Sequence, residues 1–168
     1  MSWNINNDLV KADNLLMYLV SGDTVNSGTS KVIAYTTSCS VNIDSESIDT
    51  SSKFSCKWQS TLGGRASYTI SADSLYCQKS TGDANSAITF DTLLDLMVAG
   101  ESIKWVIGQE AAFSGDCKDN PHVLDVTKPY YTGAAAITSL TLEAGNNEIA
   151  SSSLTMTGDG EIKKVVTA

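Results

Sequence analysis

Histidine occurs once in this chain and proline twice, and the four cysteines include no Cys-x-x-Cys spacing. Each scarcity removes a class of function. A catalytic His paired with Ser or Cys would have to use His122, which lies in an Asn-Pro-His-Val context and reads as an exposed or structural residue. A zinc site is disfavoured because that histidine is far in sequence from any cysteine pair. Cys39, Cys56, Cys77 and Cys117 are expected to remain thiols in a reducing compartment, although a disulfide pair stays open. No apolar run approaches the ~18 residues of a membrane span. The opening MSWNINNDLVKADN has neither a basic region nor an apolar one, so no signal peptide is expected and synthesis in a cytosol is.

Basic charge is also short. The net charge is −8 and the pI about 4.4. Nucleic-acid binding by counterion release needs clustered Lys and Arg, and anionic membranes repel such a chain. The exception is residues 49–65, where Asp49 stands against Lys53, Lys57 and Arg65 for a net +2. This is either chance clustering or a charged arm that docks on an acidic copy of the same protein.

What is present is Ser, Thr and Gly interleaved with Leu, Ile, Val and aromatics, over 168 residues. That composition suits a β-rich globular chain of one domain, residues 1–168. Leu15–Val20 (LLMYLV) reads as a buried first strand. Residues 31–44 alternate, with Ile33, Tyr35, Thr37, Cys39, Val41 and Ile43 on one face, and they could be two strands joined at Thr37-Ser38. Arg65–Asp73 alternates too, with Ala66, Tyr68, Ile70 and Ala72 on one face. Between these arms, 48–64 reads as an overlong hairpin loop holding Phe54 and Trp58. Typical hairpin loops have ~2–5 residues, so one with large aromatics reads as an arm that buries them against something else.

Phe90, Leu93, Leu94, Met97 and Val98 recur at helical spacing and predict a helix over about 90–99. Thr89 or Asp91 could cap its start and Gly100 its end. Ser102–Gly108 predicts a strand with Ile103, Trp105 and Ile107 on one face. Tyr130–Leu142 and Ile149–Thr157 predict two more, joined by a turn at 143–147. Gly158-Asp159-Gly160 and Gly63-Gly64-Arg65 read as turns, with a last short strand at 161–166. About seven strands and one helix predict a mainly β fold, an antiparallel β-sandwich or barrel with one flanking helix.

No catalytic constellation emerges. Asp91 and Asp95 are one helical turn apart but flank an apolar face. Asp44, Glu46 and Asp49 lack the ligand pattern and glycine of a calcium loop. No cofactor or metal is implied.

The stretch 48–76, IDTSSKFSCKWQSTLGGRASYTISADSLY, resembles the corresponding region of major tail tube proteins of long-tailed bacteriophages. The residues carrying the resemblance are Asp49, the Ser51-Ser52-Lys53 run, Trp58, Gly64 and Ser67-Tyr68-Thr69-Ile70-Ser71. Phe54, Cys56 and Tyr68 depart from the family pattern. Further pieces are similar in order: NLLMYLV, SAITFDTLLDLMVAGESIKWVIG, and YYTGAAAITSLTLEAGNNEIASSSLTMTGDGEI. The resemblance implies a β-sandwich or barrel that forms rings, usually hexamers, stacked head to tail into a conduit for DNA. It implies partners: other copies of the chain, a tape measure, a tail terminator and a distal tail protein, with location in the virion tail after assembly in the host cytoplasm. It also casts Asp49, Ser51, Ser52, Lys53, Phe54, Lys57, Trp58 and Arg65 as inter-subunit contacts of the long loop. A second reading is a β-sandwich adhesin or carbohydrate-binding module using exposed aromatics such as Trp58 and Trp105.

Overall fold

A computed structural model describes residues 10, 12–52, 58–77, 87–115 and 121–166. After a short 3-10 turn at Ala12–Asn14 come β1 (Leu15–Val20), β2 (Ser30–Val32), β3 (Thr36–Asp49) and β4 (Thr61–Leu75). The one helix among the described residues, α1 (Phe90–Ala99), precedes β5 (Ile103–Gln109), β6 (Tyr130–Glu143) and β7 (Ser151–Val165). All seven strands join one sheet in the order β2-β1-β5-β6-β7-β4-β3, each neighbour antiparallel. The fold is mainly β with one flanking helix, as the alternation predicts. The sheet curls until β3 comes near β1, but the two do not pair, so the barrel is open.

The first half of the sheet is buried on both faces. Met17, Leu19, Trp105 and Ile107 point into the main core, which also holds Ile70, Ala72, Leu154 and Met156. Tyr18, Val20 and Val106 point the other way, into a smaller cluster closed by Leu124 and Tyr130. Burial on both sides explains why β1 reads as a continuous apolar run rather than an alternation. In β4 only Tyr68, Ile70, Ala72 and Ser74 are buried, and the intervening residues are not, so its alternation is clean.

Helix α1 lies where its periodicity puts it, and Gly100 closes it at φ 70° with its N–H donating to Leu96 O and Met97 O. Thr89 stands at the N-cap without a side-chain cap; its hydroxyl instead lies 3.4 Å from that of Thr92. The stripe is only partly used. Leu93 is buried and Leu96 packs on the core, whereas Leu94 and Val98 are exposed.

Four expectations are corrected. The break between β2 and β3 falls at 33–35, where Tyr35 takes φ 50°, not at Thr37-Ser38. The long loop is shorter than 48–64, because Ile48 pairs with Leu62 and Asp49 with Thr61, leaving 50–60 as the connection. Gly63 and Gly64 are therefore strand residues, not a turn. A Cβ on Gly64 would stand 3.1 Å from that of Glu46, beside the register shift between Ser45 and Ser47. Gly158-Asp159-Gly160 is likewise no turn: β7 runs through it to Val165, so no separate last strand exists. The extra residues bulge opposite Thr132–Ala134, with Gly160 at φ 88°.

Candidate self-assembly surfaces

The ribbon made by β3 and β4 outruns the rest of the sheet. β4 pairs with β7 only from Thr69 to Leu75, while its pairing with β3 continues to Thr61. Residues 61–67 and their partners thus form a two-stranded arm, about 20–25 Å long at ~3.3 Å per residue. A two-stranded ribbon alone in water is marginal. This one also exposes apolar surface. Ile48 and Leu62 are a cross-strand pair with both side chains half or more exposed, Ile43 is exposed, and Trp58 is 86% exposed.

The neck of the connection is tied by hydroxyls. Thr50 N–H donates to Ser60 O at 2.8 Å, the Thr50 hydroxyl reaches Ser60 O and Oγ, and Ser60 N–H donates to Ser51 Oγ at 3.0 Å. Ser51 N–H donates to Asp49 Oδ1 at 2.8 Å. The Ser51 side chain and then its backbone N–H hold the Asp49 carboxyl below the usual carboxylate range. Asp49 and Ser51 thus close the neck, a geometric role that the sequence does not announce. Ser52 is exposed beside them. Arg65 lies inside β4, exposed and next to Gly64, whose nearest neighbour across the ribbon is Glu46. Lys53, Phe54 and Lys57 fall outside the described residues. The structure therefore groups Asp49, Ser51, Ser52 and Trp58 at the neck and sets Arg65 apart along the strand.

Two long strand edges are unpaired among the described residues. One is the outer edge of β3 along its whole length. The other is β6 beyond Ala135, because β5 reaches only Ile103↔Ala135. These edges bracket the same four strands, β6-β7-β4-β3. One face of this four-stranded part carries the core. The other carries mainly hydroxyls: Ser40, Ser71 and Thr155 share one register line and Asn42, Thr69 and Thr157 the next, with the acids Asp73 and Asp44 on the lines that flank them.

Where the barrel stays open, an apolar groove of about 260 Å³ lies between the β3 edge and β1, β5 and β6, lined by Leu15, Cys39, Val41, Ile43, Trp105, Ile107, Tyr131 and Ile162. Burial pushes the Cys39 thiol up; Cys77 is raised by burial and by Asp91 nearby. Both are free thiols, and Cys56 and Cys117 fall outside the described residues. Trp105 is fully buried, its ring tilted 59° to that of Tyr68 with centroids 5.8 Å apart, so it cannot serve as an exposed sugar platform. His122 Nδ1 lies 2.8 Å from Glu110 Oε2. Among the described residues no group of three His, Cys, Asp or Glu could hold a metal ion, and no helix is long and apolar enough to cross a membrane.

The described residues thus present an open antiparallel sheet with a projecting hairpin and two unpaired strand edges. The chain belongs to the phage tail tube protein family, whose model matches residues 10–164. Solved structures agree in fold. A tail subunit of an empty gene transfer agent particle, determined with C6 symmetry, is 20% identical, with TM-score 0.67 over 94% of this chain and 100% of that one. The SPP1 tail tube protein is 13% identical, with TM-score 0.63 over 93% of this chain and 78% of that one. A component of the anti-feeding prophage baseplate is 13% identical, with TM-score 0.56 over 99% and 98%. No curated protein matches in sequence. The protein is a structural subunit of a phage tail tube.

Proposed function

We propose that residues 1–168 act as a single tube-forming domain that assembles into hexameric rings, which stack head to tail into a conduit for DNA. The observation that carries this reading is the pair of free edges. β4 and β6 run toward the 144–150 turn, and β7 and β3 run away from it. The β3 of one copy can therefore pair antiparallel with the β6 of the next while both copies keep the same orientation. Such a contact is heterologous and closes into a ring when the rotation allows. It also removes the edges that would otherwise invite aggregation. The C6 symmetry of the gene transfer agent tail supports six copies.

In a ring whose neighbouring copies pair β3 with β6, the hydroxyl face of the four strands lines the lumen, because the opposite face is committed to the core. Ser and Thr hydroxyls with few cations give duplex phosphates nothing to neutralise, so DNA slides rather than binds. The role needs no catalysis. Assembly in the host cytoplasm would bring the tube to a tape measure, a terminator and a distal tail protein. Electron microscopy of the concentrated pure protein tests the reading. Six-fold rings or tubes are expected; a strict monomer that binds glycans would favour the adhesin alternative.

A further inference from the structure

Two apolar features stand at the two free edges of the four-stranded part of the sheet, and each is open to solvent. The first is a flank of helix α1. The helix begins where the Phe90 and Tyr76 rings stand 5.9 Å apart. That is the Glu143 end of β6, because Tyr76 N–H donates to Ala150 O and Ser151 pairs with Glu143. The helix ends at Ala99, shortly before Ile103, which pairs with Ala135. It therefore runs beside 136–143, the stretch of β6 whose outer edge is unpaired among the described residues, and β6 is the strand it packs on most closely. Leu93 and Leu96 face the core. Leu94 and Val98 lie about 100° and 140° round the helix from Leu93. They are 44% and 79% exposed.

The second feature is the groove beside β3. Cys39, Val41 and Ile43 line it from one side and Leu15 of β1 from the other. The register puts Cys39 in line with Ala72, Leu154 and Leu140, and Val41 in line with Ile70, Met156 and Ile137. These side chains all belong to the core face of the sheet. Helix α1 lies on that same face of β6, because Leu93 and Leu96 join the same core. Pairing β3 of one copy with β6 of the next continues one sheet, and a continued sheet keeps its two faces. The helix of the second copy thereby arrives on the groove side of β3, not on the hydroxyl side.

We infer that Leu94 and Val98 of α1 seat in the groove of the adjacent copy in the same ring, against Cys39, Val41 and Ile43 of β3 and Leu15 of β1. This rests on the tube reading above. The occupant is a second copy because the helix flank and the groove border opposite edges of one chain, with β7 and β4 between them. The edge pairing that closes the ring brings the one up to the other. Backbone pairing alone sets register only weakly between exposed strands rich in Ser and Thr. Apolar side chains entering a groove set it firmly, and they add burial that ladder hydrogen bonds lack. The helix stripe that is wider than its own core uses and the seam left open in the barrel are then two halves of one contact.

Cysteine crosslinking of the assembled full chain tests the contact. Cys39 is a free thiol in the groove, and a disulfide forms only where two Cα atoms come within about 7 Å. Leu94→Cys, assembled and then oxidised with copper phenanthroline, is expected to give a ladder of linked chains up to the closed ring on a non-reducing gel. Leu94→Cys/Cys39→Ser is expected to lose that ladder. Should Leu94→Cys fail to fold by circular dichroism, Val98→Cys, at the more exposed position, takes its place. In folded Leu94→Asp/Val98→Asp the concentration needed for rings, read by electron microscopy and sedimentation, is expected to rise about tenfold or more, the scale of one buried Leu lost from an interface. Rings that give no Cys39-dependent ladder, a disulfide formed within one chain, or rings from the double Asp substitution at the parent concentration overturn the helix docking alone. Absence of rings and tubes from the unaltered protein overturns the tube reading itself.

Discussion

Tyr68 shows how much of the packing rests on single positions. Its ring lies against Gly158 of β7, so closely that any Cβ there would collide with it. Its hydroxyl passes over Gly133 to donate to Ala134 O in β6. Gly158→Ala is therefore expected to cost about 1–3 kcal/mol by overpacking, read by urea unfolding, with Tyr68→Phe costing about 1 kcal/mol for the lost hydrogen bond. None of this is legible in the sequence, where Gly-Asp-Gly looks like turn chemistry. The partner that demands glycine at 158 is ninety residues earlier. Asp49 gives a second residue-scale prediction. Its folded pKa lies below the unfolded value. Its hold on the neck is thus complete above about pH 4 and is lost as pH falls through the lowered folded value. Amide exchange at Ser51 and Ser60 should quicken over that acid range in the parent protein, and should already be quick at neutral pH, without the acid step, in Asp49→Asn.

At the scale of elements, local pattern was readable wherever one face is buried and the other wet. β4 and α1 are of that kind, and both fall where their periodicities of two and 3.6 put them. The pattern could not say where an exposed strand stops. β3 and β4 run on through Ser, Asp and Gly because each pairs with the other, not because their residues favour strand. The stripe of α1 misleads in the opposite way. It is apolar over a wider arc than the core uses, leaving Val98 at 79% exposure. The arm behaves likewise, and a separation of effects follows. Leu93→Ala should cost about 2–5 kcal/mol of folding stability. Ile48→Thr with Leu62→Thr should change stability within about 0.5 kcal/mol yet reduce assembly, measured by thermal unfolding beside sedimentation.

For the whole molecule, the acidic charge and the open sheet describe one object. A net charge of −8 opposes non-specific association between copies. The resemblance carried by the 48–76 stretch is matched by a family model spanning residues 10–164. The ties of Asp49 and Ser51 at the neck were not legible, because their partner Ser60 is set only once β3 and β4 pair. The face that lines the proposed lumen shows in sequence only as ordinary Ser and Thr alternation; its meaning needs the order β6-β7-β4-β3, which no local pattern contains. The central claim is that β3 of one copy pairs with β6 of the next. Hydrogen exchange of assembled particles against isolated subunits tests it most directly. Edge amides of 36–49 and 137–143 are expected to gain protection on assembly, while those of β1 and β5 stay unchanged. Rings or tubes in which both edges exchange as freely as in the monomer would contradict it.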